Sequence, residues 1–146
     1  GRKLAREKVP GAAMKTLIAE MNATVEELAA NTQLESIAVN LKNGINSLST
    51  AADWLLANYD SKPQAAAAGA VPFLKMTGIV VGGWLMARSA AIAVKHMAAG
   101  TTDDFYQAKL ATATYFAAHQ LPFAAAYAAE ITGGSESVFA LPENLF

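Results

Sequence analysis

The sequence predicts an all-α fold, an up-down antiparallel four-helix bundle with a docked C-terminal tail. Apolar residues recur at spacings of three and four along most of the chain, in stretches divided by short segments rich in Asn, Asp, Thr, Gly and Pro. Short links between long helices favour antiparallel neighbours. With 53% of its 146 residues hydrophobic and 16% charged, the chain can bury one core without help from a metal or a disulfide.

Residues 1–10 are charged and aperiodic and are expected to be a linker from a missing catalytic domain; residues 11–146 are expected to form a single helical-bundle domain. The first helix is predicted over 12–30, where Met14, Leu17, Ile18, Met21, Val25 and Leu28 share one face and Lys15, Asn22 and Glu26 the other. Thr32 followed by Glu35 has the form of a capping box and opens a second helix over 32–59. Its stripe is Leu34, Ile37, Leu41, Ile45, Leu48, Ala52, Leu55 and Tyr59, with Glu35, Lys42, Asn46, Ser49 and Asp53 opposite.

Pro63 suits the first turn of a third helix over 63–99, kinked at Pro72 and closed by Gly100. Thr102 or Asp103 caps a fourth helix over 103–132, and Gly133-Gly134 stops it. Val138, Phe139, Leu141 and Phe146 make the last residues too apolar for a free tail, so docking along a groove is expected.

The third and fourth helices are apolar nearly all round, and the third shows it on two sides. Val71, Leu74, Val81, Leu85 and Ile92 line one; Phe73, Met76, Val80, Trp84 and Val94 line another. A helix of this kind has to be covered twice, which predicts a surface that meets another domain or subunit. Its longest uncharged run, Met76 to Ala87, is bounded by Lys75 and Arg88 and is about half the roughly 20 residues of a membrane span, so it reads as a buried helix.

Composition excludes several kinds of chemistry. The formal net charge of −1 leaves no basic footprint for nucleic acid, and the absence of cysteine removes disulfides, thiolate nucleophiles and Cys-containing zinc sites. His96 and His119 have no acid or histidine at an i+3 or i+4 ligand spacing, so each reads as a surface or capping residue. No glutamate has a second acid at a spacing that suits a general base, and no catalytic, cofactor-binding or metal residue is assigned. Gly78, Gly82 and Gly83 form small-residue patterns for close helix packing rather than a phosphate loop, since no strand precedes them and no Lys-Ser or Lys-Thr follows. Trp84 and Arg88, one turn apart, along with Lys109, Phe116 and Phe139, complete the packing and interface candidates. For Lys109 the expected partner is Asp53, in an ion pair between helices that would set register.

Three strings carry a family resemblance: Gly82-Gly83-Trp84-Leu85 followed by Ala87-Arg88, Ala108-Lys109-Leu110-Ala111-Thr112-Ala113, and Ser137-Val138 before Ala140-Leu141. Together they resemble the C-terminal helical domain of acyl-CoA dehydrogenases of the 3-methylmercaptopropionyl-CoA dehydrogenase-like branch. The resemblance implies an accessory domain of a cytoplasmic, oligomeric FAD enzyme that oxidises an acyl-CoA thioester to the 2,3-enoyl-CoA. It implies that FAD and the proton-abstracting glutamate belong to the catalytic domains upstream of Gly1, which this domain would pack on, alone or across a subunit interface. The alternative is a free-standing interaction module that holds an amphipathic helix in an apolar groove. Peripheral membrane docking lacks the basic amphipathic face it requires.

Overall fold

A computed structural model describes residues 11–134. The linker expected at 1–10 and the docked tail expected from 135 onward, Phe139 included, lie outside the described residues. Every regular element among those described is helical: α1 (Ala12–Ala29), α2 (Glu35–Asn58), α3 (Pro63–Ala68), α4 (Ala70–Ala98), α5 (Asp104–His119) and α6 (Phe123–Ala129). A 3-10 turn at Thr32–Leu34 precedes α2, and a π turn at Glu130–Gly134 follows α6.

Local chemistry sets the ends. Asn31, in extended backbone, caps the turn before α2 by accepting the Gln33 N–H on its Oδ1 at 2.9 Å. This replaces the Thr32–Glu35 box, because Thr32 is already inside the turn and only a residue outside it can cap. Asp103 caps α5 in the same way, accepting the Phe105 N–H at 2.9 Å. Gly100 closes α4 at φ 97°, a left-handed conformation open to glycine, and the Thr101 N–H turns back to the His96 carbonyl at 3.2 Å.

Two of the four predicted helices are interrupted. The third breaks at Gly69 between α3 and α4, one turn before Pro72, which has no N–H for the Ala68 carbonyl and crowds that turn, so the interruption expected from Pro72 falls there. A side chain at Gly69 would press on Leu55 at 3.2 Å and Ile131 at 3.3 Å. The fourth predicted helix breaks at Gln120–Pro122, where Pro122 has no N–H to donate and the chain turns tightly through Phe123 N–H to the Gln120 carbonyl at 3.1 Å.

The core forms around α2. Leu34, Ile37, Leu41, Ile45, Leu48, Ala52 and Leu55 are buried, facing Met21, Val25 and Leu28 of α1 and Phe73, Met76 and Val80 of α4. Lys42 Nζ donates to Asn22 Oδ1 at 2.9 Å, while at the other end Leu56 abuts Gly11, so α1 and α2 run antiparallel. Gly44 against Val80 and Gly69 against Leu55 give the same sense for α2 and α4.

Leu121, at the break before α6, points inward in step with Ala113 and Ala117 of α5. It is 1% exposed and wedges between α2 and α4: a Cβ on Gly83 would lie 2.7 Å from its Cδ2, and a Cβ on Gly44 would lie 3.3 Å away. Gly83 therefore makes room for a side chain and not for a neighbouring backbone. Gly78 faces open space, with nothing within 4 Å of where its Cβ would be.

These environments predict opposite outcomes for the same substitution. Gly83→Ala should cost about 1–3 kcal/mol by overpacking, whereas Gly78→Ala should stabilise by about 0.5–1 kcal/mol through helix propensity. Leu121→Ala alone should cost about 2–5 kcal/mol. Urea unfolding followed by circular dichroism reads all three. A Gly83→Ala cost that stays unchanged in the Leu121→Ala background would mean that Leu121 does not set it.

Candidate functional site

Four of the eight large apolar side chains exposed among the described residues lie on the outer face of α4. Its inner seam steps by three and four through Phe73, Met76, Val80, Gly83, Ala87, Ala90 and Val94, all buried. Two residues back along the helix, an outer seam repeats the same steps: Val71, Leu74, Gly78, Val81, Leu85, Arg88 and Ile92. An offset of two residues is about 200° on a helix of 3.6 residues per turn, so the seams lie on nearly opposite sides. Leu74 is 73% exposed, Val71 61%, Ile92 55% and Leu85 50%. Covering each such side chain fully is worth about 1.5–3 kcal/mol.

By length and composition α4 could cross a membrane, at 29 residues. Its inner seam, however, packs against α2, and Lys75 and Arg88 interrupt the run. Two apolar seams on opposite faces, one already filled by protein, fit a helix sandwiched between two protein layers.

Trp84 anchors the α1 side of this helix. Its Nε1–H donates to Thr24 Oγ1 at 2.8 Å, and the Arg88 guanidinium carbon sits 5.3 Å from the centre of its ring. The stacking is a cation–π contact that holds an exposed Arg88 beside the outer seam. On the other side α5 runs antiparallel: Gly82 lies against Phe116, its Cβ position 3.6 Å from Phe116 Cζ, while Met86 and Ser89 share a hollow with Phe105 and Ala108.

Lys109 borders that hollow, of about 180 Å³, with its Nζ 5.5 Å from the Phe105 ring centre. Both Lys109 and Asp53 are exposed, and Asp53 borders a different hollow, about 340 Å³, with Gly11, Met14, Lys15 and Asn22. The buried ion pair expected between them does not form, because α5 places Lys109 over Phe105 and the polar face of α2 leaves Asp53 in solvent. His96 stacks on Tyr106 at 4.6 Å, and His119 lies against Tyr115 at 4.3 Å. No group of three potential metal ligands occurs among the described residues.

The structure thus gathers Gly82, Gly83, Trp84, Arg88 and Phe116 on or around α4, with Lys109 at the edge. Phe139 lies outside the described residues. Sequence reasoning missed Gly44, Leu121 and Thr24. A glycine inside the best-patterned helix and a proline inside a predicted one were the available signals for the first two; Thr24 had none.

A model of the family described as acetyl-CoA dehydrogenase C-terminal like matches residues 17–142. The chain is 36% identical to 3-methylmercaptopropionyl-CoA dehydrogenase of Ruegeria pomeroyi over 140 residues, 94% of this chain and 23% of that protein. It is 46% identical to broad-specificity linear acyl-CoA dehydrogenase FadE5 of Mycobacterium tuberculosis over 57 residues, 37% of this chain and 9% of that protein. It spans less than a quarter of the length of either relative.

The Trp84–Thr24 bond ties α1 to the helix that carries the exposed face. Trp84→Phe should lose about 0.5–1.5 kcal/mol through that bond, while Thr24→Val should cost at least as much because the indole N–H is left half-buried without its acceptor. Thermal unfolding of the two variants checks the order.

Proposed function

The chain belongs to the acetyl-CoA dehydrogenase C-terminal-like family, and on that footing we propose that it is the accessory helical domain of a longer FAD-dependent acyl-CoA dehydrogenase. The longer protein would oxidise an acyl-CoA thioester to its 2,3-enoyl-CoA, in the cytoplasm and as a homo-oligomer. The domain's part is to pack on the catalytic domains, in its own subunit or across a subunit interface. The observation that carries this reading is the outer seam of α4, where Val71, Leu74, Leu85 and Ile92 stay exposed among the described residues although the inner seam is buried. An up-down arrangement of the four long stretches belongs to the same reading, supported by the antiparallel pairs α1–α2, α2–α4 and α4–α5.

The chemistry is assigned to residues beyond this chain. A flavin dinucleotide needs converging backbone N–H groups or cations at its pyrophosphate. The larger hollow offers Lys15 opposed by Asp53, and the smaller offers Lys109 alone above an aromatic ring. Neither hollow offers converging donors of that kind, which supports placing the cofactor in the other domains of the longer protein. What the domain would supply is burial: a rigid wall that keeps its neighbours in register.

Two measurements test the reading. The whole protein should show a flavin absorbance that bleaches when an acyl-CoA thioester is added; a colourless protein inert to thioesters contradicts the parent activity. The double variant Leu74→Glu/Leu85→Glu should leave the melting temperature of the isolated chain nearly unchanged, since both side chains are exposed there, and lower that of the whole protein by several degrees. Equal and small effects in both would mean that the seam has no partner.

A further inference from the structure

We infer that the surface covering the outer seam of α4 is an apolar protein face that brings two carboxylates, one to Lys75 and one to Arg88. The inference rests on the reading of the seam as a docking face and adds the chemistry of what docks. No aspartate or glutamate occurs between Asp60 and Asp103, so α3 and α4 carry only positive formal charge, at Lys75, Arg88 and Lys95. Lys95 reaches Glu27 of α1 at 3.6 Å. Among the described residues, neither Lys75 nor Arg88 meets a carboxylate, and Arg88 is held by the Trp84 ring instead.

The two cations flank the seam diagonally. On a helical projection Lys75 falls on the α5 edge near its start and Arg88 on the α1 edge near its end, thirteen residues or about 20 Å apart along the axis. A layer lying on Leu74, Val81 and Leu85 would strip water from both. A charge desolvated in this way without a partner is strongly unfavourable, so the covering face has to supply two acids at that separation.

This chemistry excludes a second copy of α4 as the occupant, since α4 holds no aspartate or glutamate to bring to either cation. An anionic membrane is disfavoured as well. Two cations contribute about 1 kcal/mol each at a lipid surface, where recognition uses clusters of four to eight, and the strict three-four spacing makes a narrow seam suited to one helix.

The test uses the whole protein. A carbodiimide, which joins lysine to a contacting carboxylate, should link Lys75 to an Asp or Glu outside these 146 residues, read by mass spectrometry. In parallel, Leu85→Cys gives this cysteine-free stretch a single thiol in the seam. Maleimide should label it slowly, and Arg88→Glu should speed labelling at least about tenfold while Arg88→Lys changes it less than about threefold. A slow thiol with Lys75 unlinked and no effect of Arg88→Glu overturns the carboxylate pairing and leaves the docking face intact. A thiol that labels as fast in the whole protein as in the isolated chain overturns both. A link from Lys75 to Glu136 or Glu143, to a second copy of this stretch, or co-flotation with phosphatidylserine vesicles that Leu74→Glu abolishes, identifies a different occupant and overturns the inference.

Discussion

One side chain, Leu121, decides how close α2 and α4 can come. It enters where both helices carry glycine, at Gly44 and Gly83; a Cβ on Gly83 would force it to move, and one on Gly44 would press it by a few tenths of an ångström. Leu121 continues the inward row of Ala113 and Ala117 across the break at Gln120–Pro122, and Ala124 and Ala128 carry that row on. Packing at this density transmits misfit instead of absorbing it. The position of α4, and with it the direction in which its outer seam faces, follows from this three-residue contact.

The remaining contacts on α4 build outward from that point. The inner seam meets α2, Trp84 reaches α1 through Thr24, and Gly82 receives Phe116 from α5. Each fixes the rotation of α4 about its own axis. Turning α4 to its opposite side would bury the outer seam and expose Met76 and Val80, at a cost of several fully buried apolar side chains. The exposed strip is therefore a consequence of a satisfied core, not of a loose one.

How far this was legible in the sequence depends on the length of the signal. The stripe from Leu34 to Leu55 repeats over six turns, and burial matches it residue for residue. The two faces of the third predicted helix were equally plain, because each keeps its own three-four spacing from Val71 to Val94. Single-residue events were not legible. Asn31 and Thr32 are both good caps, and only the backbone conformation says which one acts. Pro72 was the exception, announcing a break that falls one turn upstream at Gly69, whereas Pro122 was passed over inside a run of helix-forming alanines. The Lys109–Asp53 pairing failed for a related reason: charge and burial of neighbours along the chain say little about which helix a side chain will meet.

The chain belongs to the acetyl-CoA dehydrogenase C-terminal-like family, and on the proposed reading the domain lends a surface to an enzyme whose reacting groups lie elsewhere. The central claim is that the outer seam of α4 is covered in the whole protein. Hydroxyl-radical footprinting tests it directly by comparing side-chain oxidation in the isolated chain and in the whole protein. The account predicts that Val71, Leu74, Leu85 and Ile92 are oxidised in the isolated chain and protected in the whole protein, against Val39 as an exposed reference. Equal oxidation of the four in both would contradict it.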